Sequence, residues 1–472
     1  MLGRQPLPYQ LISVPILLTL LLGSAGSTAA QTGSRFSGSV PSGPATRTTI
    51  DLSLQEAFQR ALKYNLGEIE SSQNTRAAHA ARLRSLNALL PNLTARIGGT
   101  IQQLDLAAEG LGGLKIPGVQ LPKVVGPFGV EDARGYFSQE IFNWSDLKNW
   151  KSAAEAEAAS QYSYKSDRNL VVITAGNAYL LVISDQATVD SIQAQVKTAQ
   201  TLVTNDVDLN KHGLIASIDL LRARVELQTQ QQRLIAAENQ VQIDKLTLAR
   251  VIGLPMGQEF QLTDSVPYAA LDGMTQERAL QQAISTRPDY LSTKAQVHAA
   301  ELARQAAAAE NYPSLTTNTN YGEIGSPNFG SAHGTLDFAL TLNIPIYQGS
   351  RVRADKLHTD SVLQQRKAEL ADMEGQIDEQ VRTAFFNLKS SSELVSVAES
   401  NVELAGQTLG QAQDRFRAGV ADNLEVVQAQ ESVAAANQSY ISSLFAFNLA
   451  KISLAQAIGV TEQSALQYLG AK

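Results

Sequence analysis

The sequence predicts a mixed α and β protein built as two tandem halves, with strands suited to a membrane barrel and helices of coiled-coil length. Three observations carry that prediction. The chain is written twice, at offsets of 222 and then about 206 residues. Its hydrophobic period switches from helical to alternating and back at matching places in each copy. It also opens on an apolar segment with the layout of an export signal.

That opening segment has three parts. Arg4 supplies a positive start, LISVPILLTLLLG (Leu11 to Gly23) an apolar run, and STAAQT (Ser27 to Thr32) small residues for cleavage. Residues 1–30 therefore read as a signal peptide, and the run is short for a retained membrane anchor. Residues 31–50, rich in Gly, Ser, Thr and Pro, read as a flexible tether. The chain has no cysteine, which excludes disulfides, thiolate metal sites and a lipid-bearing cysteine after the signal. Its 44% hydrophobic content excludes wholesale disorder, and its net charge of −7 argues against nucleic acid as a partner. No run of eighteen apolar residues follows the signal; LVVITAGNAYLLVI (Leu170 to Ile183) is broken by Thr174 and Asn177, so helical membrane spans are not expected.

The halves divide as residues 51–271 and 272–472. LLPNL (Leu89 to Leu93) aligns with NYPSL (Asn311 to Leu315) at an offset of 222, as Ala57, Ala61 and Arg82 do with Ala279, Ala283 and Arg304. IFNWS (Ile141 to Ser145) aligns with IYQGS (Ile346 to Ser350) at 205, and Gly253 with Gly459 at 206. The difference, 222 − 205 = 17 residues, falls in the Gly- and Pro-rich stretch 107–129, read as a loop. If the long helices share one side of a membrane, that loop lies on the other.

Alternation places strands at about 92–105, 132–143, 314–323 and 335–347. In the last, Leu336, Phe338, Leu340, Leu342, Ile344 and Ile346 share one face against Asp337, Ala339, Thr341 and Asn343. In the first, Leu93, Ala95, Ile97 and Ile101 oppose Thr94, Arg96 and Thr100, while the strand ending at Phe142 is ambiguous. Such strands suit a closed membrane barrel, but four cannot close one, so several chains must pool theirs. A soluble sheet packed on one face is the alternative.

Long helices follow each strand pair. A heptad grid puts Val381, Leu388, Val395, Val402, Leu409 and Phe416 at one position, and Ala384, Ser391, Ala398, Ala405 and Ala412 at the other. Projected onto the first half it selects Ala175, Val182, Val189, Val196 and Val203, but also Asp185 and Asp206. Each helix then breaks at a tip, 211–217 and 417–423. Gly213 and Gly419 suit the left-handed position past a helix end. Ser217 and Asn423 are N-cap types for the next helix, whose first turn holds Asp219 or Glu425. Acids there complement the helix dipole whatever else they do.

In order and spacing these features resemble the TolC-like outer membrane efflux protein family. The carriers are LSLQEAFQRALKYN (Leu52 to Asn65), QEIFNWS and NIPIYQGS at the strand exits, KHGLIASIDLLRARVEL and RAGVADNLEVVQAQ at the tips, and LARVIGLP and LAQAIGV closing each half. The resemblance implies a homotrimer with a 12-stranded β-barrel in the outer membrane and a long periplasmic α-helical barrel. It implies a passive exit duct of a tripartite efflux pump or type I secretion system, in contact with membrane lipid, a periplasmic adaptor and an inner-membrane transporter. The adaptor contacts match Gly213, Leu214, Gly419 and Val420. The periplasmic gate matches Asp219 and Glu425. The family's second acidic position is Gln428 here, and its arginine and tyrosine restraints are Ala421 and Phe416, so the closed end is held differently.

No catalytic, cofactor or metal constellation is expected. His79, His212, His298, His333 and His358 are scattered, none within the four expected strands. His298 with Glu301 and Asp355 with His358 share helical faces but form no metal motif, and no phosphate loop or nucleophile elbow occurs. A trimeric coiled-coil surface stalk or adhesin is the competing reading. It would show heptads, but it has no need of paired strands at matching places in two halves.

Overall fold

The computed structural model describes residues 35–110, 122–264, 274–326 and 330–470; the expected signal peptide 1–30, the first residues of the expected tether (31–34), the expected boundary between the halves at 271/272 and residues 111–121 of the 107–129 stretch, including Gly118, lie outside them. Each half begins with two helices. Ser53 caps α1 (Leu54–Tyr64) by accepting from the Glu56 N–H, and Thr275 caps α5 (Gln276–Thr286) from the Arg278 N–H. Then follow α2 (Leu66–Asn87) and α6 (Pro288–Ala309), of 22 residues each. A strand pair comes next: β2 (Asn92–Asp105) with β3 (Val124–Phe142), and β5 (Ser314–Gly325) with β6 (His333–Asn343). The long hairpins are α3 (Trp144–Lys211) with α4 (Ser217–Ile252), and α7 (Arg351–Arg417) with α8 (Asn423–Ile458). The 68 residues of α3 extend roughly 100 Å. The helix α9 (Thr461–Leu469) closes the second half.

The four long strands form one antiparallel sheet in the order β2-β3-β5-β6, leaving β2 and β6 as edges. Among the described residues four apolar clusters hold the helices, the smallest of them joining Val297 and Ala300 of α6 to Leu363 of α7. One joins Phe58, Tyr179, Leu180, Ile252 and Ile452, and its counterpart in the second half joins Ala283, Ile377, Val381 and Ile458. The third, at the tips, takes Leu202 and Val203 from α3, Ala223 from α4, Ala412 from α7 and Val426 from α8. The heptad grid has its seam here: Val381, Ala384, Ser391, Val395, Ala398 and Ala412 are buried, and Leu388, Val402, Ala405, Leu409 and Phe416 half-buried. Stretches of α3 and α8 are apolar enough to cross a membrane, but 44% and 50% of those windows are buried in the helical body. Packing accounts for their composition.

Several expectations need correction. β3 starts at Val124 rather than about 132, because its backbone finds partners as far as Asp105↔Val124. A register shift between Gln102 and Leu104 accommodates the Gly126-Pro127 step. β6 ends at Asn343 rather than 347, since Pro345 has no N–H to donate to a ladder. It begins at His333, so one histidine does stand in a strand.

The expected tether is docked from Arg35 onward. Phe36 packs on the first apolar cluster, Arg35 pairs with Asp167 at 2.6 Å, and the Asn65 amide donates to the Phe36 carbonyl at 2.6 Å. One small element had no sequence signal: β1 (Ile50–Leu52) lies parallel to β4 (Phe260–Leu262). Asp264 just beyond it accepts from the Tyr179 hydroxyl and the Leu54 N–H.

Candidate functional site

The sheet has two chemically opposite faces. Directly opposed residues of antiparallel strands point the same way. Leu93, Ala95 and Ile97 stand opposite Phe137, Gly135 and Ala133. Phe137 and Gly135 oppose Thr319 and Tyr321, which oppose Phe338 and Leu336. Among the described residues nothing covers this face: Ile97 and Ile101 are 81% exposed and Phe338 67%. A soluble sheet would bury it, so that alternative fails. The other face carries Arg96, Asp132, Arg134, Asn320 and Asp337. Arg134 donates to Asp132 at 2.7 Å and to Asn320 at 3.4 Å, and Asn320 donates to Asp337 at 3.4 Å. The apolar face meets lipid and the polar face water. Ala133 and Gly135 on the apolar face of β3 blur the alternation there, which is why that strand is ambiguous in sequence.

The tips have one backbone geometry, used twice. Gly213 and Gly419 both have φ +69°. The Gly213 N–H donates to the Asn210 carbonyl and Leu214 N–H to Leu209; Gly419 N–H donates to Phe416 and Val420 N–H to Arg415. This 6→1 and 5→2 pair is the Schellman closure, which satisfies carbonyls left over at a helix end. It leaves Leu214 and Val420 projecting, 69% and 66% exposed. An open cleft of about 1010 Å³ lies between the two tips, lined in part by Asn205, His212, Phe416, Asn423 and Gln430.

Both gate candidates occupy the first helical turn, but each is paired with an arginine that sequence reasoning did not assign. Arg222 lies 3.1 Å from Asp219, and Arg415 lies 3.3 Å from Glu425 across its hairpin. The caps sit one residue earlier than expected. Asp422, not Asn423, caps α8 by accepting from the Glu425 N–H, and Ala216 precedes α4 with no side-chain cap bond. The cap falls at 422 because Asp422 keeps extended backbone (φ −90°, ψ 170°), leaving Asn423 already helical and turned inward. Gln428 is exposed, Ala421 half-buried, and Phe416 packs against the tip cluster.

The groups missed altogether are buried polar ones. Asn423 donates to Asp206 at 2.5 Å. Asp206 had stood out in the sequence only as a break in the heptad seam, as had Asp185. Burial and the adjacent Asp244 push the Asp185 carboxyl up. Lys451, fully buried over the Phe447 ring, is lowered to about 8 by burial. Elsewhere Glu301 is engaged by Lys367 and Asp355 by Arg351. Among the described residues no His, Asp or Glu cluster could hold a metal.

A two-faced sheet of strands joined end to end with helices of this length defines a class: outer-membrane ducts with a long periplasmic extension. The outer membrane efflux protein model matches residues 70–254 and 279–460, and the chain belongs to that family. The pyoverdine export outer membrane protein OpmQ of Pseudomonas aeruginosa is 24% identical over 430 residues, covering 89% of this chain and 87% of that one. The toluene efflux pump outer membrane protein TtgF of Pseudomonas putida is 23% identical, covering 86% and 83%. The CmeC outer membrane channel of Campylobacter jejuni superposes with a TM-score of 0.74 at 13% identity, covering 97% and 94%. The protein is therefore an outer-membrane exit duct, with its sheet in the membrane and its long helices in the periplasm.

Proposed function

We propose that three copies of this chain pool their strands into a 12-stranded barrel and their long helices into a tube. The tube ends at the tips of Gly213-Leu214 and Gly419-Val420, where a periplasmic adaptor docks and links the duct to an inner-membrane transporter. The observation that carries this is the sheet: one face apolar and bare, the other polar, with β2 and β6 as unpaired edges. Edges cannot be left open in lipid, so β2 of one copy must pair with β6 of the next. The helices support the same arrangement. α3 packs on α4 and on α8, and α8 on α7, which leaves α4 and α7 outermost. Those two present bare Leu221, Val225 and Ile235 on one side and Phe386, Val397 and Leu404 on the other. A surface stalk explains the helices but has no use for a sheet with a wet face.

The named relatives export pyoverdine and toluene, which favours small-molecule efflux as the role. The acids Asp219 and Glu425 would line the narrowed end. The test of assembly is direct. Protein extracted in detergent should run as a trimer on unheated gels and as a monomer after boiling. Phe338→Arg, on the lipid face, should cost ~2–4 kcal/mol per chain and abolish the trimer, while Thr341→Arg on the wet face keeps it. A stable folded monomer in detergent overturns the proposal.

A further inference from the structure

We propose that Asp206 and Asn423 are positioning residues that clasp the two hairpin tips of one chain together, and that protonation of Asp206 tightens the clasp. This rests on reading the tips as the closable end of the duct, and adds a lock that the acids Asp219 and Glu425 do not provide.

The geometry is specific. Asp206, near the end of α3, and Asn423, the first residue of α8, are both fully buried. They are 217 residues apart in sequence, yet the Asn423 Nδ2 donates to Asp206 Oδ2 at 2.5 Å. The same amide donates to the Asp219 backbone carbonyl at 3.1 Å, so one side chain ties α3, α4 and α8. Around it stand Leu202, Val203, Ala223, Ala412 and Val426. Two buried oxygens, Asp206 Oδ1 and Asn423 Oδ1, have no hydrogen-bond partner among the described residues. A bare carboxylate oxygen in apolar surroundings is costly; a proton on Oδ1 removes the charge and leaves Oδ2 to accept from Asn423.

The charges nearby do not relieve Asp206. On its own helix Asp208 pairs with Lys211. On α4, Asp219 adds repulsion and is itself engaged by Arg222. On α7, Arg417 is taken by Asp414 and Arg415 by Glu425 of α8, where Asp422 caps the helix. His212 lines the cleft. Burial, then Asp219, push the Asp206 carboxyl up from 3.8 to about 6 although Asn423 pulls the other way.

The sign follows from which state binds the proton. With the tips together Asp206 holds its proton more tightly than a solvated carboxyl does. Parting them hydrates it and returns it to the ordinary value. Acid therefore favours the joined state; that advantage is full below the ordinary value of 3.8 and is lost as pH rises through about 6. A shift of that size is a factor of ~100 in the equilibrium.

The clasp also breaks the symmetry of the two halves. The residue 206 positions after Asp206 is Ala412, and the one 206 before Asn423 is Ser217. The equivalent seam between α7 of one copy and α4 of the next therefore has no such pair. The lock works within a chain, not between chains.

The cysteine-free sequence allows spin labels at Leu214 and Val420 alone. Their separation in the purified, detergent-solubilised protein reads the tips whether or not the duct conducts. From about pH 5 to about pH 7.5 the population with separated tips should rise ~10-fold, the part of the full factor that lies between those two pH values. In Asp206→Asn, which mimics the protonated form, it should stay at the acid value throughout, while His212→Gln should titrate as the parent does. Bilayer conductance should follow the same order. A separation indifferent to pH in the parent, a response retained in Asp206→Asn, or one lost in His212→Gln overturns the clasp. Where Asp206→Asn fails to assemble, the parent and His212→Gln series still decide. Oligomeric state on unheated gels, measured on the same samples, tests the trimer separately.

Discussion

At the end of α3 the Leu214 N–H reaches the Leu209 carbonyl at 2.9 Å, and at the end of α7 the Val420 N–H reaches Arg415 at 3.1 Å. The glycines between them share φ +69°, and the helices that follow are both 36 residues long. The backbone of the two tips is one design used twice. Their polar groups are not. The first tip has Ala216 before its helix and a local Asp219–Arg222 pair; the second has the Asp422 cap and an Arg415–Glu425 pair spanning the hairpin. Asp206 and Asn423 have no counterparts in the other copy. Duplication has kept what sets chain direction and length, and the halves have diverged where charge acts.

The sharpest way to break that comparison is through glycine. Gly253 and Gly459 end α4 and α8 in the same left-handed conformation as the tips, with φ +73° and +86°. A Cβ at Gly253 would lie 2.4 Å from the Tyr64 Cβ, and one at Gly459 2.7 Å from the Arg287 Cα; at Gly213 and Gly419 it would meet nothing. Gly459→Val should cost ~2–5 kcal/mol, from ~1–2 of backbone strain and ~1–3 of overpacking, and should lower trimer yield and melting temperature sharply. Gly253→Val should do the same. Gly419→Val should cost only the ~1–2 kcal/mol of strain, so that assembly and membrane insertion survive while export fails at the reshaped tip. If Gly419→Val lowers trimer yield as far as Gly459→Val, the local character of the tips is wrong.

The next effect is smaller and concerns the caps. Asp422→Ala should cost ~1 kcal/mol of helix stability, and Ala216→Ser at the equivalent position should recover a similar amount for α4. Amide exchange at the first turns of α4 and α8 would report both. Equal protection of the two turns in the parent protein would mean that the cap difference is not felt.

Much of this fold could be read in advance because it is written as periods and punctuation. The offsets of 222 and 206 place α1 against α5, α2 against α6, and α4 against α8. Glycine, the one residue at ease with positive φ, marks each hairpin end. Charge partners were not legible. Arg415 is ten residues from Glu425, with a reversal between them, and Asn423 is 217 from Asp206; neither spacing marks a neighbour before the hairpins are folded. Asp206 was visible only as an acid standing where Val or Ala was expected. The cap of α8 falls one residue early because Asp422 and Asn423 are both good N-caps and only the backbone angles choose between them; at α4 the boundary falls at Ala216, whose side chain gives no cap signal.

The smallest effect on stability tests the gate most closely. Arg415 and Glu425 are both well exposed, so their pair is worth ~0–1 kcal/mol and neither substitution should change trimer yield. Their effect on ions is another matter, because three copies would turn each into a ring. If Glu425 faces a narrowed end, Glu425→Ala leaves Arg415 uncompensated and should lower or reverse cation preference in single-channel records. Arg415→Ala frees the carboxylate and should raise that preference. Opposite shifts, weakened at high salt by screening, would place the pair on the ion path. Asp219→Ala and Arg222→Ala should behave likewise, with a smaller amplitude because the Asp219 carboxylate is the less exposed, at 18% against 46%. If neither Glu425→Ala nor Arg415→Ala alters selectivity, the acid merely complements the start of its helix, and the gate must be sought among the buried groups that join the tips.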